Sequence, residues 1–538
     1  MRAFRRVLIY LSLSLLACAT GLAQSSPDDQ QQSLADAARK LRSKKPPEVQ
    51  TTQEDAKKLF ESVDEIFAFA SKDSGFPKRS DIKRRLVSQA DVEKYAREHM
   101  AKVEFSDNLR RSELTMKKFG LLPRDFELRE FLVKSSVQEI AGYYDWETKS
   151  ISLLNWVPLK QQEPILAHEL THALQDQNYN LKTWMAADET RKPDNHKDAP
   201  TAVGDEGTLV RRAVVEGQAM VVYVDYLLAP FGRTLENTPG VLDNMEEPAV
   251  RAVVDTELLH SAPMILREMG TFPYVSGLIF EGELLAKGGK AMAFAGTFAR
   301  PPRSTHEVLQ PRTYIESEKV PSVRLPQVEP LLAGKYEVFD SGNIGELDLR
   351  ALLEQYGERK AAPQLSSDWR GAAYLTLQRK GPETATGVTT HDLALLFVSR
   401  WRTPQAAQHF ATIYGNAIAQ RYPKSTSVKG ESCGGANCPV SASQFSTDEG
   451  PVIVEQWSDN TVIISESLDR VTAASLRDAV REQKTDLHAR SYSQEELGLR
   501  LCEAPAFREL QLKVGQRLAW ELRQRVQSLP ALPAASAR

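Results

Sequence analysis

The sequence predicts an α+β protein built from a helix-rich part with a small sheet, followed by a C-terminal α+β part. Three observations carry this. Apolar residues recur at helical spacing from about residue 54 to 134 and again from about 208 to 300. Between them, Val137 to Leu154 changes to strand-like alternation around a polar turn. Beyond about residue 325, apolar runs of strand length follow one another with a helix among them.

The chain has 538 residues, long for a single core, so more than one folded part is expected. Residues 1–23 read as an export signal. Arg2, Arg5 and Arg6 precede the apolar run Val7 to Leu16, which falls short of the roughly 20 residues that span a bilayer. Two endings compete. Gly21-Leu22-Ala23 suits ordinary cleavage before Gln24, whereas Leu15-Leu16-Ala17-Cys18 is similar to a bacterial lipobox and would make Cys18 a lipid anchor. Either way the expected location is periplasmic or extracellular. Residues 24–52 are rich in Ser, Gln, Asp, Lys and Pro and read as a flexible tether.

The helix-rich part is expected over residues 53–322. Leu59-Phe60, Val63, Ile66-Phe67 and Phe69 mark its first helix, and the pattern runs on to Phe131-Leu132. Val137 to Tyr144 and Ser150 to Leu154 then flank Asp145 to Lys149 as a hairpin. A helix opens at Pro164, where the missing N–H does no harm. A polar loop covers 188–207, a long helix runs from Thr208 to Leu228, and helical patterning ends at Pro301-Pro302. The C-terminal part, 323–538, has strands at Ala372 to Leu377, Leu393 to Val398, Val452 to Trp457 and Thr461 to Ser465, with a helix from Pro404 to Gln420.

Composition narrows the function. A net charge of −3 and the lack of basic clusters interleaved with aromatics exclude a nucleic-acid partner. After the export signal no segment reads as apolar enough to cross a membrane. Of the four cysteines, Cys433 and Cys438 bracket glycines and suit a small disulfide-closed loop, while Cys502 is left over.

The chemistry concentrates in His168-Glu-Leu-Thr-His172. On a helix, positions 168 and 172 lie one turn apart on one face, so both imidazoles can reach one ion. Glu169 projects beside them, placed to hold a water as general base rather than to ligate. Such a pentapeptide arises by chance in roughly one chain in a hundred of this size. Here Leu166, Leu170, Ala173 and Leu174 give the helix an apolar opposite side.

Catalytic zinc takes three protein ligands. The next histidine, His196, lies in the polar loop. Glu216 is the better third ligand, on a face shared with Leu209, Ala213, Met220, Tyr223 and Leu227. A carboxylate in an apolar stripe is costly unless a cation compensates it. That cation is either the metal or Arg212, one turn before. Gly217 fits a helix that another backbone approaches closely.

His168-Glu-Leu-Thr-His-Ala-Leu-Gln-Asp176 followed by Val215-Glu216-Gly217 resembles the gluzincin, thermolysin-like branch of the zincin metallopeptidases. The resemblance covers about residues 135–230. It implies one zinc ion on His168, His172 and Glu216, Glu169 as general base, and a peptide or protein substrate. The chain departs from thermolysin after Glu216, where Gln218, Ala219 and Met220 offer no acid to orient a histidine. Asp176 is one alternative source of that acid, and a helix-end role for it is the other. The stretch from Phe272-Pro-Tyr-Val-Ser-Gly277 to Pro311 also looks familiar from bacterial exported proteins with this motif, but no chemistry is assigned to it.

In such a fold the strand Val137 to Tyr144 would pair with an extended substrate, or else serve as an ordinary core hairpin. The oxyanion-stabilising group is left open among Tyr143, Tyr144, His260 and His306. His99, His391, His409 and His488 stand alone and read as structural or surface residues. Two further readings stay open beside an exported zinc peptidase. One is a zincin-fold envelope binding or assembly protein with little turnover. The other is a zinc amidase acting on cell-wall material.

Overall fold

Two sheets and the helices packed between and around them make an α+β fold. The computed structural model describes residues 53–88, 91, 107–136, 143–155, 159–186, 205–238, 240–243, 261–319, 323, 325–326, 328–332, 334–357, 359–381, 387–429, 438–482 and 505–528. The expected export signal and tether, Val137 to Gly142, most of the expected polar loop, and His99, His196, His260 and His488 lie outside these residues, as do Cys433 and Cys502. Cys438 is disulfide-bonded.

Helix α1 (Gln53–Ser74) leads into strand β1 (Lys83–Val87), then helices α2 (Asp107–Phe119) and α3 (Leu128–Ser136). The hairpin β2 (Tyr143–Asp145) and β3 (Ser150–Leu154) precedes α4 (Leu159–Tyr179), which carries the histidine motif. Helices α5 (Asp205–Leu228) and α6 (Met264–Lys290) follow. The hairpin is antiparallel, with Tyr144 opposite Ile151. Asp145 closes its turn by accepting from the backbone N–H groups of Glu147 and Thr148.

Two expectations need correction here. Strand β1 lies inside the stretch expected to be helical. Its sequence, Lys-Arg-Arg-Leu-Val, has no apolar alternation, because it is an edge strand in the order β1-β3-β2, pairing parallel to β3 alone. The motif helix starts at Leu159 rather than Pro164, so Pro164 sits inside it. This early in a helix, proline removes only one intrahelical bond.

The C-terminal elements are β4 (Tyr336–Asn343), α7 (Glu346–Tyr356), β5 (Trp369–Arg379), β6 (Leu393–Trp401), α8 (Pro404–Arg421), β7 (Thr426–Val428), β8 (Ser441–Thr447), β9 (Gly450–Gln456), β10 (Thr461–Glu466), α9 (Arg470–Glu482) and α10 (Pro505–Ser528). Seven strands form an antiparallel sheet, β4-β5-β6-β10-β9-β8-β7. The four expected strands are β5, β6, β9 and β10, the apolar ones. Both faces of the sheet's central strands β5, β6 and β10 are buried. Tyr374, Leu395, Phe397 and Ile464 join the large core, and Leu375, Leu396, Val398 and Ile463 join a second core closed by Leu476 of α9. That is why β5 and β6 read as continuous apolar runs. Helix α8 begins where Thr403 Oγ1 accepts from the Ala406 N–H at 3.1 Å, with Pro404 in its first turn.

The parts expected at 53–322 and 323–538 each lend the other a helix. Helix α2 lies on the seven-stranded sheet, with Phe119 edge-on to Tyr374 and Phe397. Helix α10 returns to pack on α3, α5 and α6, and one core contains apolar residues from Val63 to Leu522.

Helices α5 and α6 cross in backbone contact. A Cβ on Gly217 would stand 2.5 Å from the Gly277 backbone, so this crossing requires glycine. The segment Glu206–Phe231, spanning α5, has the length and hydropathy of a membrane span, which the reading of the sequence overlooked. Of that window 67% is buried within the protein, as befits a core helix. The crossing fixes α5 against α6, and with it the position of Glu216.

Candidate metal centre

Helix α4 presents His168 and His172 to α5, and α5 presents Glu216 back. The two Nε2 atoms are 3.0 Å apart, and Glu216 Oε2 is 3.3 Å from each. These three residues could hold a metal ion. A tetrahedral ion with bonds of about 2.0–2.1 Å places its donor atoms about 3.3 Å apart, so the triangle matches one face of such a polyhedron. Glu216 Oε2 makes no hydrogen bond despite its burial, and the three side chains are only 8, 12 and 15% exposed. An orphaned carboxylate oxygen facing two imidazole nitrogens is the arrangement a cation completes.

Without a cation, protons take over that role. Burial pushes His172 down, but the Glu216 carboxylate outweighs it and brings His172 up to about 9. Burial pushes Glu216 up, but His172 and His168 outweigh it and hold Glu216 well below the usual carboxylate range. The ion-pair reading for Glu216 does not hold. Arg212 turns away, its Nη1 donating to Gln511 Oε1 of α10 at 2.7 Å.

Glu169 stands beside the triangle. Its Oε2 accepts from the Tyr144 backbone N–H of β2 at 2.8 Å, and its Oε1 is buried without a partner. Burial raises its pKa, while His168 and His172 work against that rise. The hairpin therefore holds one oxygen of the acid and leaves the other free.

Asp176 does not orient a histidine. It accepts from the Tyr144 hydroxyl at 2.8 Å, from Lys149, and from the Leu181 N–H at 3.1 Å, tying the hairpin to the end of α4. The orienting group is Gln175, whose Oε1 lies 2.9 Å from His172 Nδ1. Gln175 Nε2 donates to the Val215 carbonyl and to Gln218 Oε1, both at 3.0 Å. Gln218 Nε2 in turn donates to the Ala293 and Phe294 carbonyls at 2.9 and 3.0 Å. Those carbonyls belong to a π-helical turn, Ala291–Gly296.

This chain fixes a proton. Carbonyls only accept, so Gln218 must face them with its NH₂ and present its oxygen to Gln175. Gln175 must then face His172 with its own oxygen. His172 Nδ1 therefore carries the hydrogen, and Nε2 keeps its lone pair for a metal. Sequence reasoning sought an acid in this role and so passed over two amides.

It also passed over Tyr274. The ring of Tyr274 lies 6.4 Å from that of His168, tilted by 25°. Burial and the nearby Glu216 charge hold its phenol well above the usual pKa, so it stays an O–H donor. Of the expected oxyanion groups, Tyr144 is committed to Asp176. His306 is tied to Glu346 and packed on Trp369. The Tyr143 side chain and His260 lie outside the described residues.

Two cavities adjoin α4. A wide one of about 690 Å³ opens at its C-terminal end, beside Arg79, Tyr144, Lys149 and Asp176, away from the ligand triangle. A small one of about 10 Å³ lies against His168, Glu169 and Tyr274. The second is the one at the chemistry. No protein-family model, no curated protein and no solved structure matches this chain.

Proposed function

We propose that this chain is an exported zinc-dependent peptidase that acts on peptides or proteins. One observation carries the reading: the His168–His172–Glu216 triangle with the free oxygen of Glu169 beside it. Two imidazoles and one carboxylate are a donor set that suits zinc and leaves one position open for chemistry. A zinc ion bound there would polarise a carbonyl and make water acidic enough to attack near neutral pH.

The chain's own residues then divide the work. His168, His172 and Glu216 hold the ion, and Gln175 keeps His172 in the tautomer that can bind it. Glu169 Oε1 takes the proton of the attacking water and delivers it to the leaving amine. Tyr274, whose ring lies 6.4 Å from that of His168, is the O–H donor assigned to the oxygen that gains charge. A structural zinc site has no use for an unpartnered acid at its edge, which sets this reading above a binding or assembly role.

The test compares wild type with Glu169→Gln, with metal content measured by atomic emission and cleavage measured on a peptide library and on cell-wall fragments. The expected result is one zinc in each protein and peptide cleavage lowered about 10²- to 10⁴-fold in the variant. Equal cleavage by both, or no zinc in either, overturns the reading. Cleavage of cell-wall fragments alone replaces peptidase with amidase.

A further inference from the structure

We infer that helix α10 is a built-in cover that holds the metal site closed. The inference rests on the peptidase reading and concerns how that site is regulated. The small cavity at the site is bounded on one side by Ile165, His168, Glu169 and Tyr274. On the other it is bounded by Leu512, Gly515, Gln516 and Ala519, all from α10. Its volume of about 10 Å³ accommodates roughly one water and no peptide unit. The attacking water has a place beside Glu169, while the scissile bond has none. A substrate reaches this site only after α10 moves.

The contact is close and specific. Gly515 lies flat on the Tyr274 ring, where a Cβ would overlap it. Gln511 is held at both ends of its amide, accepting from Arg212 and donating to the Met269 carbonyl at 2.8 Å. The Tyr223 hydroxyl donates to the Ala519 carbonyl. Phe507, Leu510, Val514, Leu518 and Leu522 form the buried stripe of the helix.

An ordinary core helix would have this stripe too. The difference lies beneath it. Helix α10 lies over His168 and over Glu169, whose Oε1 is buried and unpartnered, a desolvation cost that a purely structural helix has no reason to incur. The cover also takes up Arg212, the cation closest in sequence to Glu216, and so leaves Glu216 to the histidines.

The test uses the full-length protein loaded with cobalt(II), whose visible spectrum reports ligand entry without turnover. The probe is an amine-blocked leucine hydroxamate. Gly515→Val forces α10 off Tyr274. A site that is open only part of the time binds with an affinity reduced by the open fraction, so the variant should bind the hydroxamate at least about tenfold more tightly at unchanged cobalt stoichiometry. Equal affinity in both proteins overturns the cover.

Hydrogen exchange of wild type gives a second measurement that needs no variant and decides the matter if Gly515→Val does not fold. Bound hydroxamate should raise deuterium uptake over Pro505–Ser528, and unchanged uptake at saturation overturns the inference. Failure of either protein to bind cobalt sinks the metal site and the cover together. Hydroxamate binding that tightens without any peptide cleavage by the variant leaves the cover standing and removes the peptidase.

Discussion

Two buried polar clusters in this protein follow opposite rules. In the C-terminal sheet, Glu466 accepts two bonds from Arg421, at 2.8 and 2.9 Å, and one each from the Tyr414 and Tyr422 hydroxyls. Beside it Lys118 donates to Glu449 and Ser467, both at 2.7 Å, and Arg124 also pairs with Glu449. Every carboxylate oxygen there has a donor. At the candidate metal centre, Glu169 Oε1, Glu216 Oε2 and His168 Nδ1 are buried with no hydrogen bond. Charge and burial alike occur in both places. Unpartnered nitrogens occur in the sheet cluster too, at Arg421 Nε and Arg124 Nη2, so it is the acids with open oxygens that set a cluster poised to take a ligand apart from one that holds helix α2 to the sheet.

Breaking the satisfied cluster should give the largest effect on stability. Glu466→Ala leaves the Arg421 guanidinium buried and unpaired, which should cost about 3–5 kcal/mol in urea unfolding. Zinc content should not change. The matching change at the other cluster, Glu216→Ala, should abolish zinc binding and cost the metal-free protein less than the Glu466 change, because His172 can shed the proton that Glu216 held on it. If Glu466→Ala also loses zinc, the two clusters are one network and the contrast fails.

A smaller effect should follow from the amide chain that joins the open cluster to the fold. Gln175→Ala removes the acceptor at His172 Nδ1 and should weaken zinc binding about 10- to 100-fold, measured by competition with a chromophoric chelator. Gln218→Ala should weaken it less, since Gln175 keeps its bond to the Val215 carbonyl. Should the Gln218 change prove the more damaging, the chain does not work by fixing the tautomer.

These residues also mark how far the sequence could be read. His168, Glu169 and His172 were legible because helical geometry converts their spacing directly into a shared face. Glu216 was legible as a carboxylate too costly for its apolar stripe. Gln175, Gln218 and Tyr274 left no such trace, because amides carry no charge to explain and a tyrosine among apolar residues looks like core. The apolar strands β5, β6, β9 and β10 showed themselves, while the polar edge strand β1 and the largely exposed β7 and β8 did not. Helix α10 over Glu169 joins residues more than 300 positions apart, a separation at which local pattern says nothing.

Glu206 stands between the two extremes and gives a test that depends on pH. It is buried and accepts from the Thr305 N–H at 2.6 Å and from the Thr305 hydroxyl at 3.0 Å, but it has no cation. Burial, and then the charge of Asp348, raise its pKa to about 8. The folded state thus holds a proton that the unfolded chain releases above its ordinary pKa near 4.5. More protons bound in the native state means stability falls as pH rises, here between about pH 4.5 and 8, by at most about 1.4 kcal/mol per pH unit. Below that window both states are protonated, and above it both are ionised, so the slope vanishes at each end. Glu206→Gln keeps an acceptor for Thr305 and removes the titration. Its melting temperature should match wild type at pH 5 and exceed it at pH 8. A wild type whose stability is flat across that window would show that Glu206 has found a cation or a water, and would move it into the satisfied class.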